Sequence, residues 1–254
     1  MTSPAPASTP QASTALPHAV LWDLDGTLVD TERYWMAAEG ALVTSFGGAW
    51  THEQALGLVG LGLDTSAAIL QEAGVRLAAH EIVDRLTAEV MARVVDEGPP
   101  LRPGALALLG DLRAAGVRCG LVTMSLRRMA AVVADHLDAL VPAGAFEVIV
   151  AGDDATRPKP FPDAYLQACA ALGVEPASAV AIEDSPTGVR AAVGAGIPTI
   201  GVPLMVSLEG TGADVLWPTL DGRTAADVGA VHVAHGARAG LDAGAGRAAG
   251  QARS

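Results

Sequence analysis

The chain is predicted to adopt an α/β fold: a parallel sheet with helices on both faces and a small all-α cap inserted after the first strand. Short apolar runs alternate with longer stretches of helical spacing, an order typical of right-handed βαβ units. One segment near the N-terminus breaks this alternation and shows helical spacing only. At 254 residues the chain is long enough for a sizeable core that carries such an insertion.

The alternating elements predict a Rossmann-like core. Apolar runs bounded by turn residues predict strands over 19–22, 117–122, 146–150, 179–182 and 199–202. Between them, helical spacing predicts helices over 105–115, 126–137, 162–172 and 186–194. In open parallel sheets, ligands bind at the carboxyl ends of the strands. The residues that follow each strand are therefore the candidates for a functional site.

The cap is predicted to span residues 31–97, between the first two strands. Helical spacing extends over 32–46, 64–73 and 80–95, and no convincing strand interrupts it. The segment begins near Asp30-Thr31 and leaves through Gly98-Pro99-Pro100, which suggests two hinges.

The remaining residues divide into a core and two tails. The core is predicted to consist of residues 18–30 and 98–227. Residues 1–17 are rich in Ala, Pro, Ser and Thr, and residues 228–254 are rich in Ala and Gly. These compositions predict a flexible tail at each end.

Composition and charge limit the function classes. A net charge of −12 without clustered basic residues argues against a nucleic-acid-binding surface. The two cysteines, Cys119 and Cys169, form no CxxC pair, so neither a disulfide framework nor a thiolate metal site is indicated. No secretory signal and no membrane-spanning run is apparent. We expect a cytoplasmic protein, monomeric by default, that binds neither nucleic acid nor membranes.

Two aspartates follow the first predicted strand. Asp23 and Asp25 are two residues apart, so in extended chain they point to the same side, and Gly26 lets the backbone turn away. Two close carboxylates repel, and such a pair is typical of a divalent-cation site or of acid–base chemistry. An ordinary acidic turn is the alternative.

Lys159 is the only lysine beside fifteen arginines. A compact ammonium with three donors differs from the planar guanidinium fork, so a lysine kept in an arginine-rich chain suggests a chemical requirement. A leftover surface lysine in a proline-rich loop is the alternative.

Two more candidate sites follow predicted strands. In LVTMS, Thr123 and Ser125 carry hydroxyls, although a strand residue and a helix N-cap explain them equally well. Glu183 and Asp184 end another apolar run, where Ser185 followed by Pro186 also fits a helix start.

These four motifs, in this order, resemble those of the haloacid dehalogenase-like superfamily, in the branch with a helical cap that includes β-phosphoglucomutase and many small phosphatases. The resemblance covers roughly residues 19–205 and starts with DLDGTLVDT, residues 23–31. It departs from the family at Pro158, where the residue before the lysine is usually Gly. This departure removes a backbone N–H from the loop but leaves Lys159.

The resemblance implies a role for each residue. Asp23 is the expected nucleophile, which becomes an aspartyl phosphate, and Asp25 the general acid and base. Thr123, Ser125, Lys159 and Gly26 are expected at the phosphoryl group. Mg²⁺ is the expected cofactor, with Asp23, Asp25 through its backbone carbonyl, and Asp184 as ligands, and with Glu183 as a ligand or a support for one.

Within the family, the sequence favours a phosphatase. Asp25 argues against the dehalogenases, and a cap without lysine argues against the phosphonoacetaldehyde hydrolases. A β-phosphoglucomutase-like mutase is the closer alternative, but its cap histidine is replaced by Trp35, and residues 57–64 carry no basic residue to hold a second phosphate.

The predicted function is thus Mg²⁺-dependent hydrolysis of a small phosphomonoester with a small or neutral leaving group. A mutase, or a catalytically silent binding protein with the same fold, is the alternative. For Tyr34 and Trp35, packing within the helix is favoured over contact with the substrate.

Overall fold

The structure is a computed structural model that describes residues 15–251, with side-chain environments described up to residue 238. Most of the N-terminal tail predicted over residues 1–17, namely 1–14, lies outside the described residues. Within 15–251, no helix combines the length and the apolar character that crossing a bilayer requires.

Six parallel strands form one sheet in the order β3-β2-β1-β4-β5-β6. The strands are β1 (Ala19–Trp22), β2 (Arg118–Val122), β3 (Val148–Val150), β4 (Ala179–Glu183), β5 (Thr199–Gly201) and β6 (Val215–Leu216). The five predicted strands are all present, within two residues at each end. The sheet edge gains β6, which is too short to predict from a pattern.

Nine α-helices are found in the described residues. They are α1 (Glu32–Ser45), α2 (His52–Leu56), α3 (Leu63–Glu72), α4 (Ala79–Glu97), α5 (Ala105–Ala114), α6 (Arg127–Asp138), α7 (Asp163–Leu172), α8 (Pro186–Gly194) and α9 (Ala225–Gln251). Helices α1 to α4 form the insertion between β1 and β2, and α2 is the one that the spacing did not predict.

Strand β1 shows how the sheet is covered. All four of its residues are fully buried. Val20 and Trp22 pack into one apolar cluster with α5, α6 and the insertion, whereas Ala19 and Leu21 pack into a second cluster with α7 and α8. Because alternate residues of a strand face opposite sides, this division means that helices cover both faces. The predicted fold class is confirmed.

The C-terminal segment differs from its prediction. Helix α9 runs from Ala225 to Gln251, where a flexible tail was expected from residue 228. Val228 is fully buried in the larger cluster, and the His235 ring lies 2.8 Å from the Asp214 carboxylate. Alanine is the best helix former, so a segment rich in Ala can remain helical once a first turn docks against the core.

Candidate active site

The site lies at the carboxyl edge of the sheet, where three neighbouring strands end. Trp22 of β1 pairs with Leu121 of β2 and with Ile182 of β4, so the next residue, Asp23, follows between the two neighbours. Its backbone N–H donates to the Ile182 carbonyl at 3.0 Å. The sheet register therefore brings Asp23 beside Glu183 at the end of β4.

Lys159 occupies the centre of this edge. Its Nζ lies 2.7 Å from Asp23 Oδ1, 2.6 Å from Glu183 Oε1 and 3.0 Å from the Val122 carbonyl oxygen. The ammonium thus donates to three acceptors from a single atom, whereas a guanidinium spreads its donors over three nitrogens in one plane. Only 4% of the residue is exposed, so the alternative of a leftover surface lysine is wrong.

Further contacts hold Glu183 in place. The Tyr165 hydroxyl donates to Glu183 Oε1 at 2.7 Å, and Ser185 Oγ donates to Oε2 at 3.2 Å. A Cβ on Gly188 would lie 2.0 Å from the same carboxylate, so the start of α8 approaches closely because it has no side chain there. Glu183 is therefore a fixed anion that orients Lys159.

We call Asp23, Lys159, Glu183 and Asp184 the sheet-edge cluster. Burial raises the pKa of Asp23 to about 7, with Glu183 adding to the rise and Lys159 opposing it. Burial, followed by Asp23 and Glu183, raises the pKa of Asp184 well above its ordinary value. Burial alone would lower the pKa of Lys159, but the two carboxylates outweigh it and raise that pKa. The cluster thus places three carboxyl groups beside one ammonium group.

The sheet-edge cluster fits a hard divalent cation. Asp23, Glu183 and Asp184 each offer a carboxylate oxygen, and these oxygens lie within 4.8 Å of one another. Asp184 Oδ2 is buried and has no hydrogen-bond partner among the described residues, although a buried carboxylate oxygen normally has one. A Cβ on Gly26 would lie 2.0 Å from this atom, so the turn after β1 leaves it room. Oxygen-only ligands of this charge suit Mg²⁺.

The carboxylate of Asp25 lies on another side of the site. Its Oδ1 accepts hydrogen bonds from the Thr31 hydroxyl and, at 3.1 Å, from Trp35 Nε1. Its Oδ2 accepts from Ser125 Oγ at 2.6 Å, and Thr123 Oγ1 lies 3.5 Å away. The group of carboxylates that could hold a metal ion does not include Asp25. Of the four residues expected at the metal, the structure thus brings three carboxylates together.

Helix α1 supplies two of the groups that hold Asp25. Thr31 is the N-cap residue of α1, yet its side chain makes no capping hydrogen bond and donates to Asp25 instead. Trp35 is one helical turn further on and 7% exposed. The view that Trp35 is only a packing aromatic is therefore incomplete, because its indole N–H also holds a candidate catalytic group.

The loop after α2 closes over the site. Gly60 has φ +73°, and a Cβ there would lie 2.5 Å from Ser185 Cβ. The Thr187 hydroxyl donates to the Gly60 carbonyl. The insertion thus touches the loop that carries Asp184, and this contact encloses a cavity between the insertion and the sheet.

Sequence reasoning missed two residues of this cavity, Glu32 and Glu39. They lie on α1 at spacings of three and four residues around Trp35, so all three share one helix face. Both glutamates line the cavity and are 7% and 5% exposed. The sequence did contain a signal for these residues, because two acidic side chains on the buried face of a predicted helix indicate a polar site there. We call Glu32, Trp35 and Glu39 the α1 wall.

The fold and the site together define an α/β enzyme with a buried lysine among carboxylates at the carboxyl edge of the sheet, beneath a helical insertion. A family model described as haloacid dehalogenase-like hydrolase matches residues 20–202. The chain therefore belongs to the haloacid dehalogenase-like hydrolases, which confirms both the family predicted from the four motifs and the expectation of an enzyme.

Relatives and solved structures agree with this family. The chain is 34% identical over 200 residues to validoxylamine A 7'-phosphate phosphatase of Streptomyces hygroscopicus subsp. limoneus, covering 77% of this chain and 91% of the relative. It is 29% identical over 188 residues to hexitol phosphatase B of Escherichia coli, covering 73% and 83%. A variant of CbbY from Rhodobacter sphaeroides, solved with xylulose-(1,5)bisphosphate, superposes with TM-score 0.71 at 29% identity, covering 82% and 96%.

Proposed function

We propose that this protein is a Mg²⁺-dependent phosphatase that hydrolyses the phosphomonoester of a sugar, a polyol or a similar small metabolite through an aspartyl phosphate on Asp23. The observation that carries the proposal is the contact of Lys159 with both Asp23 and Glu183. Location in the cytoplasm and a monomeric state belong to the same proposal and rest on the sequence.

Asp23 is proposed as the nucleophile because its surroundings prepare one oxygen. Lys159 holds Oδ1, so Oδ2 remains to attack phosphorus. The ammonium lies at the carboxylate and offsets the negative charge that gathers as an anionic ester approaches. Mg²⁺, bound by Asp23 and Asp184, would supply further positive charge at the phosphoryl oxygens and align the ester.

Asp25 is proposed as the proton carrier. In the first step, Asp23 forms a bond to phosphorus while the bond from phosphorus to the ester oxygen breaks, and Asp25 gives its proton to that oxygen. In the second step, Asp25 takes a proton from water, whose oxygen attacks phosphorus and releases Asp23 and inorganic phosphate. Thr31, Trp35 and Ser125 keep the Asp25 carboxylate on the cavity side, where the leaving alcohol lies.

Hydrolysis fits this chain better than phosphate movement within a sugar. A mutase must hold a second phosphate while the first reacts, which requires a second cationic group. Among the described residues that line the cavity, Lys159 is the only lysine or arginine, and it is already engaged by Asp23 and Glu183. The names of two relatives, validoxylamine A 7'-phosphate phosphatase and hexitol phosphatase B, support hydrolysis, and the second name also supports a polyol phosphate as the substrate.

The first test is phosphate release from a panel of sugar and polyol monophosphates, with Mg²⁺ and with chelator. We expect release that requires Mg²⁺ and that falls by at least about 10⁴-fold in Asp23→Asn, because an amide is a far weaker nucleophile than a carboxylate. Asp153→Asn, an exposed aspartate after β3, is the matched control and should keep full activity. Transfer of phosphate between two positions of one sugar, without release, would favour the mutase and refute the proposal.

A further inference from the structure

The α1 wall presents two carboxylates that the proposed chemistry does not use. Glu39 Oε2 is fully buried and has no hydrogen-bond partner among the described residues. Burial raises the pKa of Glu39 to about 7, and the nearby indole of Trp50 only opposes this rise, with its Nε1 making no hydrogen bond among the described residues. A buried carboxylate without a donor is costly for a folded protein unless something that binds there supplies the donor.

Glu32 is in a similar position. Burial, followed by the neighbouring carboxyl groups of Asp25, Glu39, Asp23 and Asp30, raises the pKa of Glu32 to about 8. It lies on the same helix face as Glu39 and borders the same cavity. Carboxyl groups this close together repel one another when they are ionised, so their own contacts do not hold them in place.

The cavity gives these carboxylates a common target. Asp23 and Asp25 line the cavity at the sheet edge. Apolar residues of α2 and the following loop, including Leu58 and Val59, line it on the side of the insertion. Ser66 of α3 adds a hydroxyl to the same lining and is 6% exposed. A molecule whose phosphate lies at Asp23 would therefore place its alcohol part against the apolar side chains of the insertion and against the carboxyl groups of Glu32 and Glu39.

We propose that Glu32 and Glu39 form a subsite that binds hydrogen-bond donors on the alcohol part of the substrate and repels a second anionic group. This inference rests on the proposed function and deepens it. The donors are hydroxyl groups, or an ammonium group that replaces one of them. The substrates are thus monophosphates of hydroxyl-rich or amino-substituted alcohols, and bisphosphates are poorer substrates.

The test compares two kinds of ester in the full-length, Mg²⁺-loaded enzyme. Glucose 6-phosphate offers several hydroxyl donors, whereas p-nitrophenyl phosphate offers none on its leaving group. The measured quantity is the ratio of their kcat/KM values. We expect this ratio to fall about tenfold or more in Glu39→Gln and in Glu32→Gln, since a hydrogen bond to a charged group is worth that much.

A matched control separates the subsite from the general charge of the insertion. Glu72→Gln removes one exposed carboxylate at the end of α3 and should leave the ratio unchanged. A general loss of stability would lower turnover of both esters together and leave their ratio unchanged. The use of two separate variants keeps the test decisive if one of them folds poorly.

Two further arms sharpen the result. Glucosamine 6-phosphate carries an ammonium group in place of one hydroxyl of glucose 6-phosphate. If Glu39→Gln lowers kcat/KM equally for the two sugars, the subsite binds hydroxyl groups. If it lowers kcat/KM more for glucosamine 6-phosphate, the subsite binds the ammonium group. At pH 9 the carboxyl groups of Glu32 and Glu39, with pKa values raised to about 8 and about 7, are ionised. At this pH, kcat/KM for fructose 1,6-bisphosphate should be at least about tenfold lower than for fructose 6-phosphate, and the Glu32→Gln/Glu39→Gln double variant should reduce this difference.

The outcomes are distinguishable. A wild-type enzyme that hydrolyses both esters, with a ratio that neither variant changes, overturns the subsite and leaves the phosphatase proposal in place. A wild-type enzyme that turns over the bisphosphate as fast as the monophosphate at pH 9 also overturns the subsite. No phosphate release from any ester overturns the proposed function and the subsite with it.

Discussion

The sheet-edge cluster and the α1 wall both bury carboxylates, but they treat them differently. At the sheet edge, Glu183 accepts hydrogen bonds from Lys159, Tyr165 and Ser185, and Asp23 accepts one from Lys159. On the α1 wall, Glu39 Oε2 accepts none from the described residues. The first region is organised before any ligand arrives. The α1 wall gains its hydrogen-bond donors only when a ligand binds. The proposed catalytic groups and the proposed substrate-selecting groups therefore lie on different sides of one cavity.

Replacing Lys159 should have the largest effect, because it removes the hydrogen-bond donor that distinguishes the sheet-edge cluster from the α1 wall. Lys159→Met leaves Asp23 and Glu183 facing each other without a cation, which makes the sheet edge resemble the α1 wall. We expect the free energy of unfolding to fall by about 3–5 kcal/mol, because a buried charge loses its partner. Activity should fall by about 10³-fold or more, as when a main electrostatic contact to the transition state is removed.

Urea unfolding and kcat measure these two losses. The double variant Asp23→Asn/Lys159→Met should recover part of the lost stability, since one of the unpaired charges is gone. Additive losses in the double variant would mean that the ion pair contributes no coupling. Arg157→Met, two residues earlier and exposed, is the control for the loop.

Removing Asp184 should separate stability from activity. With chelator present, Asp184→Asn should be more stable than the wild type by about 1–3 kcal/mol, because an unpartnered buried carboxylate is replaced by a neutral amide. Activity should fall by more than about 100-fold, and the rise in Tm on adding Mg²⁺ should disappear. Thermal unfolding with and without Mg²⁺ checks both effects. If Mg²⁺ raised the Tm of Asp184→Asn as much as that of the wild type, Asp184 would not be a metal ligand.

The α1 wall should make stability depend on pH. Burial raises the pKa of Glu39 from 4.5 to about 7, and burial together with Asp25 raises that of Glu32 from 4.5 to about 8. The folded state therefore binds protons that the unfolded state releases. This contribution to stability is fully present below pH 4.5 and is lost as the pH rises through about 7 and about 8.

Unfolding of the wild type and Glu39→Gln at pH 5 and pH 8, at saturating Mg²⁺, tests this dependence. The variant should lose less stability than the wild type over this interval, by about 3 kcal/mol at most. Glu72→Gln should follow the wild-type curve. Parallel curves for the wild type and Glu39→Gln would show that Glu39 titrates normally in the folded state.

Trp35→Phe should have the smallest effect of the four and should act on the link between the two regions. The substitution keeps an aromatic ring in α1 and removes the N–H that donates to Asp25. We expect kcat to fall about tenfold, the cost of one hydrogen bond to a charged group, with a small change in stability. Tyr34→Phe, which removes a hydroxyl bonded to Glu97 at 2.9 Å, is the control and should keep kcat. If Trp35→Phe kept the wild-type kcat, as Tyr34→Phe is expected to do, the role of Trp35 would be packing alone.

The sequence by itself was sufficient for the family, the alternation of strands and helices, and the residues of the sheet-edge cluster. Each of these depends on short-range order: a run such as Ala19–Trp22 predicts its own strand, and parallel strands bring their carboxyl ends to one edge. Asp23, Asp184 and Lys159 could therefore be placed together before their contacts were known. The lone lysine was informative because its chemistry differs from that of arginine.

Only the tertiary structure decided which groups meet across that edge. The Asp25 carboxylate lies with Thr31, Trp35 and Ser125 instead of with the carboxylates of the sheet-edge cluster, because α1 packs against the loop after β1. The buried glutamates of α1 and the helical C-terminal segment have the same origin, since burial depends on what packs against an element. Periodicity assigns a residue to a face of its helix, and the neighbouring elements determine whether that face meets solvent, core or substrate.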